Sequence, residues 1–169
     1  MANDPNWRLP DVPGFTLESP DFAEGALLPA SARSDGGNRS PALAWSGAPE
    51  GTKSYALTIY DPDAPTGSGF WHWAVYNIPG DVTSLPAGAG TDGTLPDEAV
   101  VLPNEMRGEE FTGAAPPAGD GRHRYFFTVS ALSDTLDLPK GATPAVLGFM
   151  LRGIILGRAQ LVGLAETPA

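Results

Sequence analysis

The sequence predicts a mostly antiparallel β fold with one peripheral helix. Three observations carry that expectation. Three segments of eight or nine residues are rich in β-branched and aromatic side chains, while only one segment spaces its apolar residues as a helix does. The 21 glycines and 18 prolines cut the remainder into turns. At 169 residues and 41% hydrophobic composition, the chain has enough apolar material for one core and too little length for two well-packed domains.

Residues 1–14, with Pro5, Pro10, Pro13 and Gly14, read as an irregular arm whose Trp7 is expected to pack down. Residues 15–166 then form one domain, and 167–169 a frayed end. Asp35-Gly36-Gly37-Asn38 marks a loop, because glycine and asparagine tolerate positive φ. Lys53 to Tyr60 and Phe70 to Ile78 read as strands, joined by the proline- and glycine-rich DPDAPTGSG loop. Within that loop, Ala64-Pro65 is a candidate cis bond. From 80 to 122 only Ala99 to Leu102 resembles a strand, and so long an excursion is typical of functional loops. Arg124 to Leu132 is the third clear strand. Thr143-Pro144 then supplies a cap and a first-turn proline, so that Val146, Leu147, Met150, Leu151, Ile154 and Ile155 predict a helix from 144 to about 158. The following AQLVGL fits a short strand.

A net charge of -10 argues against a binder of nucleic-acid backbones, yet it leaves room for one local anion pocket. Without cysteine there is neither a disulfide framework nor a thiolate metal site. The N-terminal residues lack the basic-then-apolar pattern of a signal peptide. Ala145 to Leu156, interrupted by Arg152, is too short to span a bilayer. A cytoplasmic location without a transmembrane segment is the expectation.

His72 and His123 are the whole imidazole supply, and both lie beside proline- and glycine-rich loops. Strand alternation puts Trp71 and Trp73 on one face and His72 on the other, together with Phe70 and Ala74. Each histidine has two readings, a core residue satisfied by hydrogen bonds or a member of a site with Asp61 and Asp63. Those aspartates in turn fit an ordinary Asp-Pro turn as well as a functional cluster. The ligand count would suit zinc or iron, but separations of 11 residues (Asp61 to His72) and 51 (His72 to His123) match no compact metal motif. There is also no nucleophile elbow, phosphate-binding P-loop or His-Glu-x-x-His. No catalytic residue, cofactor or metal is therefore expected.

Taken together, Asn38 to Trp45 (N-x-S-P-x-L-x-W), Asp61 to Pro79 (DPDAPTGSGFWHWAVYNIP) and Gly113 to Phe127 (GAAPPAGDGRHRYFF) closely resemble the phosphatidylethanolamine-binding protein family, in particular its bacterial and archaeal branch, often labelled Raf kinase inhibitor-like. The resemblance covers roughly residues 14–166. It implies a central antiparallel sheet, a second small sheet, short peripheral helices and a small anion pocket at one end. Transferred by position, it puts Asp61, Asp63, His72, His123 and Tyr125 around that pocket and Pro65, Gly113 and Pro116 at its rim. Two imidazoles and a tyrosine hydroxyl can donate hydrogen bonds to a phosphate, with Asp61 behind them orienting a histidine. The sequence departs from the family near its end, where Gly163-Leu164-Ala165 stands in place of Gly-x-Tyr. It departs again at Phe149-Met150 and Ile154, where bacterial relatives often carry Phe-Asn and a histidine.

The implied function is binding of a phosphate-bearing small molecule or phospholipid head group without turnover. The alternatives are a protein-interaction regulator of kinases or serine proteases, and a hydrolase using His72 with an aspartate. A homodimer through the apolar face of the 144–158 helix is also expected.

Overall fold

The computed structural model describes residues 5–169. In chain order its elements are β1 (Thr16–Glu18), β2 (Leu43–Ser46), β3 (Ser54–Asp61), β4 (Phe70–Pro79), β5 (Ser84–Leu85), β6 (Val100–Val101), β7 (His123–Leu132), α1 (Pro144–Met150) and β8 (Ile155–Ala165). Five strands form a central antiparallel sheet in the order β6-β4-β3-β7-β8, and β1-β2-β5 form a smaller antiparallel one. The expected fold class, with its second small sheet, is the observed one. No helix among the described residues is long and apolar enough to cross a membrane.

Alternation along the central strands divides the core in two. On the inner face Tyr55, Leu57 and Ile59 of β3, Val75 and Ile78 of β4 and Tyr125, Phe127 and Val129 of β7 pack against Leu17, Leu43, Trp45 and Leu85 of the small sheet. On the outer face Ala56, Ala74, Tyr76 and Leu132 pack against Leu147 and Leu151. β8 would be an open edge, but Gly25 N–H donates to Val162 C=O and Leu28 N–H to Leu164 C=O, so the 25–28 segment covers part of it.

Three local expectations are corrected. The helix stops at Met150, tightens into a 3-10 turn over Leu151–Gly153, and gives way to an eleven-residue strand. Ile155 pairs with Leu132, and ladder bonds along the whole of β7 outweigh the weak helical preference of a segment interrupted by Gly148 and Gly153. Trp7 is 70% exposed, with the Arg8 guanidinium 4.2 Å from its ring centroid; the arm is held instead through Pro10, whose carbonyl accepts from Arg158 Nη1. All described peptide bonds are trans, Ala64–Pro65 included. Residues 1–4 of the expected arm lie outside the described residues. The far end is tied down at Thr167, whose carbonyl accepts from Gly119 N–H and whose hydroxyl accepts from Arg33 Nη2.

Candidate functional site

The inner-face alternation of β3 ends on Asp61, that of β7 begins with His123 and Tyr125, and Phe70 at the start of β4 pairs with Asp61. These side chains therefore gather at one end of the sheet. His72 joins them through a β-bulge: Ile59 pairs with Trp73 and Tyr60 with Trp71, so His72 is the extra residue with no partner on β3. A bulge re-aims side chains. Trp71 packs on Tyr60 with ring centroids 4.3 Å apart, whereas Trp73 enters the inner core and Ala74 the outer one. The two tryptophans thus lie on opposite faces, correcting the strict alternation expected from sequence. His72 stays with Phe70, at 4.6 Å between ring centroids, and meets the edge of Tyr125 at 5.1 Å.

Above these residues opens a cavity of about 340 Å³. Its walls include Pro65, Phe70, Met106, Ala115 and Pro117, and its polar lining is Asp61, Thr66, His72, Thr112, His123 and Tyr125. The 112–115 wall stands against the 32–34 segment: Ala114 N–H donates to Ala32 C=O and Ser34 N–H to Ala114 C=O, each at 3.0 Å. Only glycine fits at 113, because a Cβ would lie 2.6 Å from Arg33 C and Ser34 N. Asn38, at φ 52°, accepts from Gly113 N–H through Oδ1 at 2.6 Å.

His72 is clasped by Thr112. The Thr112 N–H donates to His72 C=O at 2.9 Å, and His72 Nδ1 lies 2.7 Å from Thr112 C=O. A carbonyl only accepts, so Nδ1 carries the proton. In the neutral ring Nε2 is then a lone-pair acceptor, and it has no hydrogen bond among the described residues. Burial lowers the His72 pKa, against the opposing pull of Thr112 and Asp61, so the neutral ring is favoured.

His123 differs. Its Nδ1 meets Asp61 Oδ2 at 2.8 Å and its Nε2 meets Asp120 Oδ2 at 2.9 Å. Burial opposes charge here too, but the two carboxylates outweigh it and the pKa is raised. The remaining oxygen of Asp61 accepts from the Asp63 and Ala64 N–H groups. The Tyr125 hydroxyl is sealed from solvent beside Asp61 and the Ala115 backbone, in hydrogen-bond geometry with neither, and burial raises its pKa.

Of the residues singled out in the sequence, Asp61, His72, His123 and Tyr125 come together at the cavity, with Pro65 and Gly113 in its lining. Asp63 does not line it. Its carboxylate is held by Arg124, Nε to Oδ2 and Nη2 to Oδ1 at 2.7 Å each, and that hydrogen bonding, against the cost of burial, holds its pKa below the usual carboxylate value. Pro116 is buried behind the wall, and Pro117 occupies the rim. The imidazoles are also less available than expected: the His72 N–H is committed to Thr112, and both His123 nitrogens face carboxylates. Sequence reasoning missed Thr112 and Asp120, which carry no motif of their own; the one signal at Asp120 was its position between two glycines, here at φ 77° and 89°. Among the described residues no cluster could hold a metal ion.

The family model for phosphatidylethanolamine-binding protein matches residues 18–166. The chain is 50% identical over 135 residues to the UPF0098 protein YbcL of Escherichia coli K12, covering 78% of this chain and 74% of YbcL. The crystal structure of E. coli YbcL superposes with a TM-score of 0.86 at 45% identity, over 90% of this chain and 98% of that one. A phosphatidylethanolamine-binding protein homologue, CT736 of Chlamydia trachomatis, follows at 0.80 and 30%, over 91% and 98%. With a family model over most of its length and relatives of this identity, the chain belongs to the phosphatidylethanolamine-binding protein family.

Proposed function

We propose that this protein binds a small phosphate-bearing molecule, free or as a lipid head group, in the cavity at the end of the central sheet, and does not turn it over. One observation carries the reading: an open cavity at the end of the central sheet gathers Asp61, His72, His123 and Tyr125 on one side and an apolar rim on the other. Convergent polar side chains in a mostly apolar cleft are the usual make-up of a small-molecule site. The size of the cavity suits a head group, and its apolar rim suits a short organic substituent.

Calorimetry with inorganic phosphate, phosphoethanolamine and phosphoserine tests the reading, with product analysis of the same mixtures to detect hydrolysis. Saturable binding that weakens in His72→Ala, with the ligand recovered intact, is the expected result. No binding at millimolar concentration would remove the proposal.

A second reading, self-association or regulation of a protein partner, draws on one observation. The helix is shorter than expected, and Ile154 and Ile155 no longer belong to it, yet Val146, Phe149 and Met150 remain exposed around α1. Light scattering tests the homodimer: a mass near 17.6 kDa at micromolar concentration excludes it.

A further inference from the structure

The outer face of the central sheet carries a second cavity, which shares no lining residue with the first. It measures about 70 Å³. One water needs about 10–15 Å³, so there is room for a molecule of several heavy atoms. Strand register builds its floor. Ala56 of β3 pairs with Ser130 of β7, and Ser130 with Arg158 of β8; the neighbouring row on the same face is Thr58, Thr128 and Gln160. Two small residues leave the space open: Ala56 carries only a methyl group, and at Gly148 of α1 a Cβ would meet nothing within 4 Å. The N-terminal arm adds Pro5, Asn6, Leu9 and Pro10 to the walls, and Arg158 Nη1 holds it there by donating to Pro10 C=O.

Two features of this lining point to an anion. Ser130 is only 5% exposed, yet its hydroxyl makes no hydrogen bond among the described residues and, unlike that of Tyr125, is not sealed off; it opens into the cavity. A hydroxyl drawn out of bulk water in this way is satisfied by whatever occupies the space beside it. The Thr58 hydroxyl, in the next row, is likewise without a partner among the described residues. The second feature is charge. Arg152 and Arg158 line the cavity and, among the described residues, no aspartate or glutamate does, in a chain whose net charge is -10. Arg152 ends the first strand connection after α1, in the turn Leu151–Gly153, and has no ion pair among the described residues. The rest of the lining is mainly apolar, with Leu9, Phe126, Leu151 and Ile155 among it.

We propose that this outer-face cavity is a binding site for a small monocarboxylate with a short apolar tail, whose carboxylate accepts from the Ser130 hydroxyl in the field of Arg152 and Arg158 while the tail lies among the apolar walls. A hydroxyl and a guanidinium both donate to a carboxylate, and hydrogen bonds to a charged acceptor are the stronger kind. A cation is repelled by the two arginines. A neutral alcohol of the same length keeps the tail contacts but loses the charge. This site is independent of the phosphate reading above.

Titrations of the full chain with butyrate, 1-butanol and butylammonium, followed by amide NMR at pH 7, test it. Butyrate should shift the amides of Thr58, Thr128, Ser130 and Arg152 saturably at millimolar concentration, with butanol about tenfold weaker and butylammonium without effect. Arg152 is exposed, so Arg152→Gln should fold normally; it should bring butyrate down towards butanol and leave butanol unchanged. Ser130→Ala should weaken butyrate more than butanol, and Ser130→Val, which also fills the space, should abolish both. Circular dichroism verifies each fold, and Arg152→Gln decides alone if a Ser130 variant does not fold. Butyrate that leaves these amides unmoved, that shifts only His72 and Thr112, that binds no better than butanol, or whose preference survives Arg152→Gln would overturn the proposal. None of these results bears on phosphoethanolamine binding at the end of the sheet, which is read from separate amides.

Discussion

Replacing Gly113 with alanine tests whether the cavity wall is held by close backbone approach. The new Cβ would lie 2.6 Å from Arg33 C and Ser34 N and 2.9 Å from Ala32 O. All three are backbone atoms, so no side chain can rotate away and the 112–115 segment must move. Overpacking of this kind costs about 1–3 kcal/mol. Displacement also strains the Ala114–Ala32 and Ser34–Ala114 hydrogen bonds, each contributing about 0.5–1.5 kcal/mol. The combined loss is about 2–6 kcal/mol, which for a domain of this size lowers Tm by roughly 4–24 °C. Because Thr112 anchors His72 from the same segment, affinity for phosphate esters should fall as well. Differential scanning calorimetry, with and without ligand, reads both effects. A Gly113→Ala variant that melts with the wild type would refute the close-approach argument.

The remaining predictions use other parts of the same frame. Gly148→Ala in α1, where a Cβ meets nothing within 4 Å, should stabilise the protein by about 0.5–1 kcal/mol in the same scans. Asp63→Ala leaves the half-buried Arg124 guanidinium without its bidentate partner and should cost about 1–3 kcal/mol in urea unfolding at pH 7. The depressed Asp63 pKa makes the contribution of that pair present above the ordinary value of 3.8 and lost as pH falls through the folded value, so wild type and variant should converge in strong acid. Asp120→Asn removes one of the two carboxylates that raise the His123 pKa, and an NMR titration should find it lower than in the wild type. The folded-state value of His123 lies above 6.5, so its stabilising contribution is complete below that pH and is lost as pH rises through the folded value.

Much of this architecture was legible because alternation is a strong code. The β3 and β7 strands were recognised to within a residue of Asp61 and His123, and the family resemblance brought Asp61, His123 and Tyr125 together, while the register of β3 on β7 that puts them on one face came from the structure. What stayed hidden depends on contacts distant in sequence. The bulge at His72 is visible only once Ile59 is seen to pair with Trp73 and Tyr60 with Trp71. Ile154 and Ile155 satisfy helical spacing as well as strand composition, and only the presence of β7 as a partner decides between them. The roles of the two histidines diverge for the same reason. Thr112, 40 positions from His72, fixes one tautomer, and Asp120, in a Gly-Asp-Gly sequence that reads as a plain turn, engages the other ring. Asp63 looked equivalent to Asp61, but it lies outside the cavity lining and is bound by Arg124 across the strand starts.

The central claim is that the cavity at the end of the central sheet takes a phosphate-bearing molecule, and nitrogen-15 NMR of the imidazole rings that line it tests this directly. At pH 7 a protonated Nδ1 and an unprotonated Nε2 are expected for His72, and addition of phosphoethanolamine should shift the His72 ring resonances as it occupies the cavity. A His72 ring that is protonated at Nε2 at pH 7 before any ligand is added, or ring resonances that phosphoethanolamine does not move, would contradict it.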